Sequence, residues 1–204
     1  METGLCNDKL NMKIVETVYL LGKPSSQTNL VLDELKSILG KYSLILNPVK
    51  HGNGVKPIRE AFVEILSQHG WTKEHGMNIE GMKRKALDGY KEFEDCRVGF
   101  EWETGNISSS FRAIMKLIMG LNCNELDVAI HVLPSKKMYR FLTDRVGNIE
   151  ELRAYFPAFR LMNIPESKIL IFVVVEHDEE CETAVLVKKG LDGMSHSRRA
   201  KNGN

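Results

Sequence analysis

The chain has 204 residues and a mass of 23.2 kDa, enough for one domain with its own hydrophobic core. Hydrophobic residues make up 43% and charged residues 27%, a globular composition that excludes disordered, fibrous and collagen-like chains. The 28 Lys and Arg residues nearly balance the 27 Asp and Glu residues, so the net charge of +1 by itself indicates neither a nucleic-acid nor a membrane partner.

Two further features narrow the class of protein. The longest purely apolar run, residues 169–175, is far shorter than the roughly 20 residues that a membrane-spanning helix requires, and no basic segment followed by an apolar stretch resembles a secretory signal. The 4 cysteines are widely separated and form no Cys-x-x-Cys pair, which is typical of reduced thiols. We therefore expect a cytoplasmic protein without membrane contact.

Apolar periodicity predicts alternating helices and strands. In chain order the predicted elements are a helix at 29–39, a strand at 43–46, a Gly-rich turn at 51–54, a helix from Pro57 to Gly70, strands at 86–93 and 97–104, a helix at 107–121 capped by Asn106, a strand at 126–133, helices at 136–145 and 149–156, and a buried central strand at 169–175. Residues 1–12 and about 195–204 are expected to be flexible. This order predicts a single α/β domain, 1–204, in which helices cover a mixed sheet.

The segment from Asp88 to Asn106 concentrates acidic residues. A two-residue hairpin turn at 94–95 would set Asp88 opposite Glu101, and strand alternation would put Glu103 on the same face. Facing like charges destabilise a sheet, by about 0.2–1 kcal/mol for exposed pairs. A divalent cation such as Mg²⁺, which binds carboxylate and water oxygens, would compensate. The alternative is an acidic strand face whose carboxylates point into water.

Other catalytic signatures are absent from the sequence. It contains no phosphate-binding Gly-x-x-x-x-Gly-Lys-Ser/Thr, no Gly-x-Ser-x-Gly and no His-Glu-x-x-His. The 6 histidines have no metal-ligand spacing and are expected to be ordinary surface or core residues. We also predict that Trp71, Trp102, Met115 and Met119 are core residues.

Several short blocks are distinctive in their order. They are Pro-Ile-Arg-Glu (57–60), Asp-Gly-Tyr-Lys-Glu-Phe (88–93), Arg-Val-Gly-Phe-Glu-Trp-Glu-Thr-Gly-Asn-Ile-Ser-Ser (97–109), Leu-Thr-Asp-Arg-Val (142–146) and Asp-Gly-Met-Ser (192–195). Together they resemble the BamHI-like family of type II restriction endonucleases, the Glu-x-Glu branch of the PD-(D/E)xK superfamily. The resemblance implies a mixed central β-sheet flanked by helices, in a homodimer that cleaves both strands of palindromic double-stranded DNA.

The resemblance also implies a catalytic set. Asp88 and Glu101 match metal-binding acids, the backbone carbonyl of Trp102 matches a main-chain ligand, and Glu60 matches a further acid. Glu103 matches the residue that is Lys in most of the superfamily, and it would orient or deprotonate the attacking water. One or two Mg²⁺ ions per active site would polarise the scissile phosphate. Without the resemblance, Glu60 is simply a glutamate in the first turn of a helix.

The resemblance implies a base-reading set as well. Its members are Asn106, Ser108, Arg112, Asp144, Arg145, Asp192 and Gly193. The first three would read the inner base pairs, the Asp-Arg pair the outer G·C, and the last two belong to a C-terminal arm, 188–204, expected to contact DNA. Because these residue types match, the resemblance implies the target GGATCC and products with 5′ overhangs. On spacing alone, the Asp-Arg pair would be an ordinary surface ion pair.

Two other functions fit the sequence: a DNA-binding module that has lost catalysis, and a nuclease of similar site but different target, such as a repair enzyme. The local charge agrees with a DNA partner, because residues 188–201 contain five basic side chains and one acid. The near-zero net charge is then the sum of an acidic cation site and a basic DNA-binding surface.

Overall fold

The computed structural model describes residues 12–82, 86–102, 104–143 and 146–189. Its elements, in chain order, are β1 (Met12–Leu21), α1 (Ser26–Leu39), β2 (Ile45–Leu46), α2 (Val55–Ser67), β3 (Thr72–Gly76), β4 (Ala86–Phe93), β5 (Cys96–Trp102), α3 (Ile107–Asn122), β6 (Val128–Pro134), α4 (Lys136–Tyr139), α5 (Ile149–Arg153), α6 (Phe156–Phe159), β7 (Ile169–His177) and β8 (Glu179–Glu180). Among the described residues, no helix combines the length and hydropathy needed to cross a membrane.

A six-stranded mixed sheet with the order β1-β7-β6-β5-β4-β3 forms the centre of the fold. The three middle strands β5, β6 and β7 are parallel, and antiparallel strands extend the sheet at both ends. β2 and β8 form a separate small parallel pair. Strands β6 and β7 are almost entirely buried, as expected of continuous apolar runs covered on both faces. The predicted mixed α/β architecture is therefore confirmed.

Helices cover both faces of this sheet and create two cores. Helices α1 and α2 pack on one face, where Phe62 makes edge-to-face contacts with Phe100 and Trp102 at ring-centroid distances of 5.5 and 5.1 Å. Helices α3, α5 and α6 pack on the other face, where Leu117 and Phe172 are fully buried. The strands that carry the candidate site are thus held between two helical layers.

Aspartate 127 ties the strands together at the end of the sheet where β6 begins. Its carboxylate accepts hydrogen bonds from Arg97, at the start of β5, and from the largely buried Lys168, just before β7. Burial alone would raise the pKa of Asp127, but the bonds from Arg97 and Lys168 hold it well below its usual range. The network fixes where β5 enters the sheet, and therefore where its other end lies.

The structure differs from the predicted elements in several places. Strands β1 and β3 were not predicted, because β1 mixes exposed and buried positions irregularly and β3 reads Thr-Lys-Glu-His-Gly without an apolar residue. Helix α4 ends at Tyr139, well before 145. The predicted helix 149–156 divides into α5 and α6, because Pro157 stands in the first turn of α6 and has no N–H to continue the preceding helix.

The predicted core residues are confirmed for the tryptophans and wrong for two methionines. Trp71 and Trp102 are buried, whereas Met115 and Met119 are 41% and 37% exposed. Helix α3 instead turns Ile114, Leu117, Ile118 and Leu121 toward the sheet. The two methionines lie one turn apart on the opposite side of α3, so helical periodicity explains their exposure.

Candidate active site

The predicted hairpin and its register are confirmed. β4 and β5 pair antiparallel from Phe93 opposite Cys96 to Gly89 opposite Phe100, and Glu94 in the turn has a φ of 48°. Beyond this last pair, the side chain of Asp88 takes the place of a main-chain hydrogen-bond acceptor on β4. Its Oδ2 accepts a hydrogen bond of 2.8 Å from the backbone N–H of Trp102. Asp88 is therefore anchored to the end of β5.

Asp88 and Glu101 approach the open end of the β4–β5 hairpin from opposite faces of the sheet. The prediction that they share one face is therefore wrong. Asp88 Oδ1 accepts a 3.0 Å hydrogen bond from Arg59 Nη1 on α2, whereas Glu101 Oε1 lies 2.6 Å from Lys116 Nζ on α3. Because α2 and α3 cover opposite faces of the sheet, each carboxylate is paired from its own layer.

A break in the alternation of β4 explains why Asp88 and Glu101 lie on opposite faces. Gly89 faces Phe100 in the core beneath α2, and strict alternation would put Leu87 on that side too. Leu87 packs instead in the core beneath α3. The strand thus changes phase at Asp88, which frees its carboxylate to turn toward α2.

Glu74 is a further acid at this site that the sequence analysis did not identify. The β3–β4 pairs on either side of it place Glu74 opposite Asp88 on the neighbouring strand. It has a φ of 52°, a left-handed conformation that is unfavourable for a residue with a side chain. Strain of this kind is concentrated at functional sites. No apolar pattern marks β3, so only the pairing register could have revealed Glu74.

A depression beside Asp88 collects charged side chains from α2 and β3. The residues that line it are Arg59, Glu60, Val63, Glu64, Lys73, Glu74 and Asp88. Glu60 therefore does come near Asp88, although its side chain is 55% exposed and lies 4.0 Å from Lys56. An exposed pair at that distance constrains Glu60 little, so the carboxylate can turn into the depression.

Glu101 is the electrostatically unusual member of the site. It is only 7% exposed. Burial first, and then the negative charge of Asp88, raise the pKa of Glu101 to about 7, with Lys116 opposing the shift. The charged form of a buried carboxylate beside a second carboxylate is strongly stabilised by a nearby cation.

These groups suit a divalent metal ion. Asp88, Glu101 and the main chain at Trp102 meet at one sheet edge, and their oxygens are the hard ligands that Mg²⁺ and similar ions prefer. No group of three or more Asp, Glu, His or Cys side chains within the described part of the chain is close enough to hold a metal by itself. Glu103, the third predicted acid, lies outside the described residues. Two carboxylates with water and phosphate oxygens are a normal ligand set for Mg²⁺.

The start of α3 carries the first predicted base-reading residues. Asn106 is the helix cap, as predicted, and its Oδ1 accepts hydrogen bonds from the N–H groups of Ser108 and Ser109. Arg112, one turn on, donates to Ser109 Oγ at 2.7 Å. Arg112 also lines a cavity with Glu101 and Lys116. The other predicted members, Asp144, Arg145, Asp192 and Gly193, lie outside the described residues.

Asn53 joins the segments that lead to those other members. It is fully buried, and its Nδ2 donates to the carbonyls of Asn47 and Phe141, while its Oδ1 accepts from the N–H of Val187. Its backbone carbonyl accepts from Thr143 N–H at 2.6 Å. Thr143 immediately precedes the predicted Asp-Arg pair, and Val187 immediately precedes the predicted arm, 188–204.

Comparison with known proteins identifies the family. Residues 12–194 match the family model described as restriction endonuclease BamHI. The chain is 41% identical over 171 residues to the type II restriction enzyme OkrAI of Oceanobacter kriegii, covering 82% of this chain and 88% of that protein. It is 40% identical over 159 residues to the type II restriction enzyme BamHI of Bacillus amyloliquefaciens, covering 74% of this chain and 72% of that protein.

A solved structure supports the fold. The restriction endonuclease BglII, crystallised with a DNA 16-mer, superposes with a TM-score of 0.52 and 13% sequence identity, covering 83% of this chain and 79% of that chain. Enzymes of the matched family bind DNA and generally need a divalent metal ion. The acids at the sheet edge thus lie in a fold shared with other restriction enzymes, and this chain, a site-specific deoxyribonuclease, belongs to the BamHI family of type II restriction endonucleases.

Proposed function

We propose that this enzyme uses Mg²⁺ to hydrolyse both strands of GGATCC and leaves 5′ overhangs. The observation that carries the proposal is the convergence of Asp88 and the buried Glu101 at the open end of the β4–β5 hairpin, a few residues before the N-terminus of α3. Metal-binding chemistry and groups suited to reading DNA therefore occur within one short segment. Membership of the BamHI family supports the same reaction.

Asp88, Glu101 and the carbonyl of Trp102 are the proposed metal ligands, with Glu60 as a further acid. Glu74 is a second candidate for that further role, because it lies opposite Asp88 and lines the same depression. A bound Mg²⁺ ion would polarise the scissile phosphate and would lower the pKa of a water molecule that it binds.

The protein's own groups prepare this chemistry. The bonds from Trp102 N–H and Arg59 hold the carboxylate of Asp88 in one orientation. Burial keeps Glu101 away from competing water, which strengthens its attraction for a cation. In this proposal Glu103 orients the attacking water and accepts its proton, and hydrolysis proceeds without a covalent enzyme intermediate.

The proposed reading of DNA begins at the N-terminus of α3. The positive end of the helix dipole favours the approach of phosphates. Asn is suited to adenine and Arg to guanine in the major groove, so Asn106 and Arg112, with Ser108, are proposed for the inner base pairs. The outer G·C pair is assigned to Asp144 and Arg145, and the C-terminal arm with Asp192 and Gly193 to a further DNA contact.

A homodimer would match the symmetry of the palindrome. The described surface presents apolar side chains from α3 and from the region of α5 and α6. Met115, Met119, Tyr155 and Leu161 are exposed there by 41%, 37%, 44% and 88%. Phe111 connects the two regions, since its ring lies 4.8 Å from that of Tyr155. We assign this surface to a second copy of the chain.

A digest of DNA of known sequence with purified enzyme and Mg²⁺ tests the proposal. Discrete fragments whose ends map to GGATCC are expected, and Glu101→Gln should retain DNA binding while losing cleavage. Binding without cleavage by the unchanged enzyme would indicate a DNA-binding module instead. Cleavage at other sequences would contradict the proposed target, and normal cleavage by Glu101→Gln would contradict the proposed site.

A further inference from the structure

We propose that Lys116 is the built-in counter-ion of the metal site, and that a divalent cation binds by displacing its ammonium group from Glu101. This inference rests on the proposed role of Asp88 and Glu101 as metal ligands. It makes Lys116 a positioning residue, which holds Glu101 in place before the metal arrives.

The contacts of Lys116 carry the inference. Its Nζ lies 2.6 Å from Glu101 Oε1 and donates to the carbonyl of Ala86 at 2.7 Å. The side chains of Lys116 and Glu101 are only 17% and 9% exposed, so solvent screens the ion pair weakly. Lys116 thus reaches from α3 across to the start of β4 and the end of β5, and its ammonium group lies where a cation bound by Glu101 would lie.

Asp88 is paired differently. Arg59 approaches it from α2 at 3.0 Å, and the N–H of Trp102 occupies the other carboxylate oxygen. These two hydrogen bonds hold the carboxylate of Asp88 in place. Lysine carries a compact charge on a flexible four-carbon stem, so it can leave one carboxylate without disturbing its helix. Of these two cations, Lys116 is therefore the one suited to give way.

Mutual repulsion makes the exchange necessary. An ammonium group in contact with Glu101 and a divalent ion bound by the same carboxylate would be only a few ångströms apart, and like charges at that distance repel strongly in a weakly screened environment. Metal binding must therefore include the work of moving Lys116. Removing its charge should then tighten metal binding, whereas removal of a group that merely supports the site would weaken it.

The first test measures metal binding without DNA. Lys116→Met keeps the length of the side chain and removes its charge, and isothermal titration with Ca²⁺ should show binding about tenfold tighter than in the unchanged enzyme. Lys137→Met is the control. Lys137 lies 3.4 Å from Glu176 on the distant strand β7, so this variant should bind Ca²⁺ as the unchanged enzyme does. Equal or weaker binding by Lys116→Met would overturn the inference.

A second measurement uses the unchanged enzyme and does not depend on the variant folding. Acetylation of individual lysines by acetic anhydride, followed by mass spectrometry, should show faster labelling of Lys116 with saturating Ca²⁺ than without it, while labelling of Lys137 stays constant. Unchanged or slower labelling of Lys116 would contradict its displacement. Glu101→Gln tests the proposed metal-ligand role of Glu101 separately from the role of Lys116. If this variant binds Ca²⁺ normally, Glu101 is not a metal ligand, whatever the behaviour of Lys116.

Discussion

At the scale of single residues, His131 is the most unusual neighbour of the site. It lies beside Glu101 in the β5–β6 register, is fully buried, and packs its ring 5.4 Å from that of Phe172. Neither ring nitrogen makes a hydrogen bond of good geometry with the described residues. Burial lowers the pKa of His131 to about 4, with the backbone of Glu101 opposing the shift. A charged imidazole is therefore poorly tolerated at this position.

This burial predicts sensitivity to acid. Because the pKa of His131 is lower in the folded state than its ordinary 6.5, its contribution to stability is complete above pH 6.5 and is lost as the pH falls toward 4. Between pH 7.5 and 5, His131→Leu should lose about 2 kcal/mol less unfolding free energy than the unchanged protein. Urea unfolding of both proteins at the two pH values measures this difference. Equal losses would show that His131 is not the group responsible.

Glu74 supports a second prediction at this scale. Glu74→Gly removes both the carboxylate and the steric penalty of its φ of 52°, so the metal-free protein should gain about 0.5–1 kcal/mol of unfolding free energy. Glu74→Gln is the matched control, because it removes the charge and keeps the strained backbone. If Glu74 acts with Asp88, both variants should cleave DNA slowly, while only the glycine variant unfolds at higher urea. Full activity in both variants would remove Glu74 from the site.

At the scale of elements, loop packing positions the segments that lead to the proposed DNA contacts. The loop before α2 pairs with residues 140–143 and also receives the chain around 182–187. Asn53 supplies the shared contacts, including an isolated β-bridge to Leu142. None of this follows from helical or strand periodicity, because the contacts join segments about 90 and 134 residues apart.

Replacing Asn53 should therefore destabilise the protein strongly. Asn53→Ala leaves main-chain carbonyls and an N–H without their buried partner, which should lower the free energy of unfolding by about 2–4 kcal/mol. Asn122→Ala is the control, since its exposed amide donates to the carbonyl of Asn163 at 3.2 Å and should contribute less than about 1 kcal/mol. Thermal or urea unfolding compares the two. Similar losses in both variants would contradict the assigned importance of Asn53.

At the scale of the whole molecule, charge and apolar surface are unevenly distributed. The described acids near Asp88 meet cations from both helical layers, and Lys137 is partly neutralised by Glu176 and Glu180. The acidic segment 176–182 therefore takes part in ion pairs around β7 and β8. Met115 and Met119 of α3 are instead exposed apolar side chains, and they belong to the surface that we propose for contact with a second copy.

The proposed dimer can be broken at that surface. Met119→Glu combined with Met115→Glu should shift the enzyme from dimer to monomer in sedimentation velocity, because two carboxylates would be buried at the interface. Cleavage of both strands at one site should fall with it. Leu30→Glu changes a still more exposed apolar residue on α1, on the other face of the sheet, and should leave the dimer intact. Dimers that persist in the double variant would place the interface elsewhere.

The sequence by itself determined the features that depend on local periodicity and turn chemistry. The hairpin register of β4 and β5, the Asn106 cap of α3 and the buried strand β7 were all predictable, because each follows from neighbouring residues along the chain. The order of the short blocks also predicted the family. These signals require no knowledge of which elements lie side by side.

Only the tertiary structure decided how the site is assembled. The phase change at Asp88, the position of Glu74 opposite it, and the cations Arg59 and Lys116 on the two acids depend on strand pairing and on helices packed from opposite faces. The exposure of Met115 and Met119 depends on which side of α3 meets the sheet. Contacts between distant segments are set by packing of the whole core, and a local pattern of residue types contains no information about that packing.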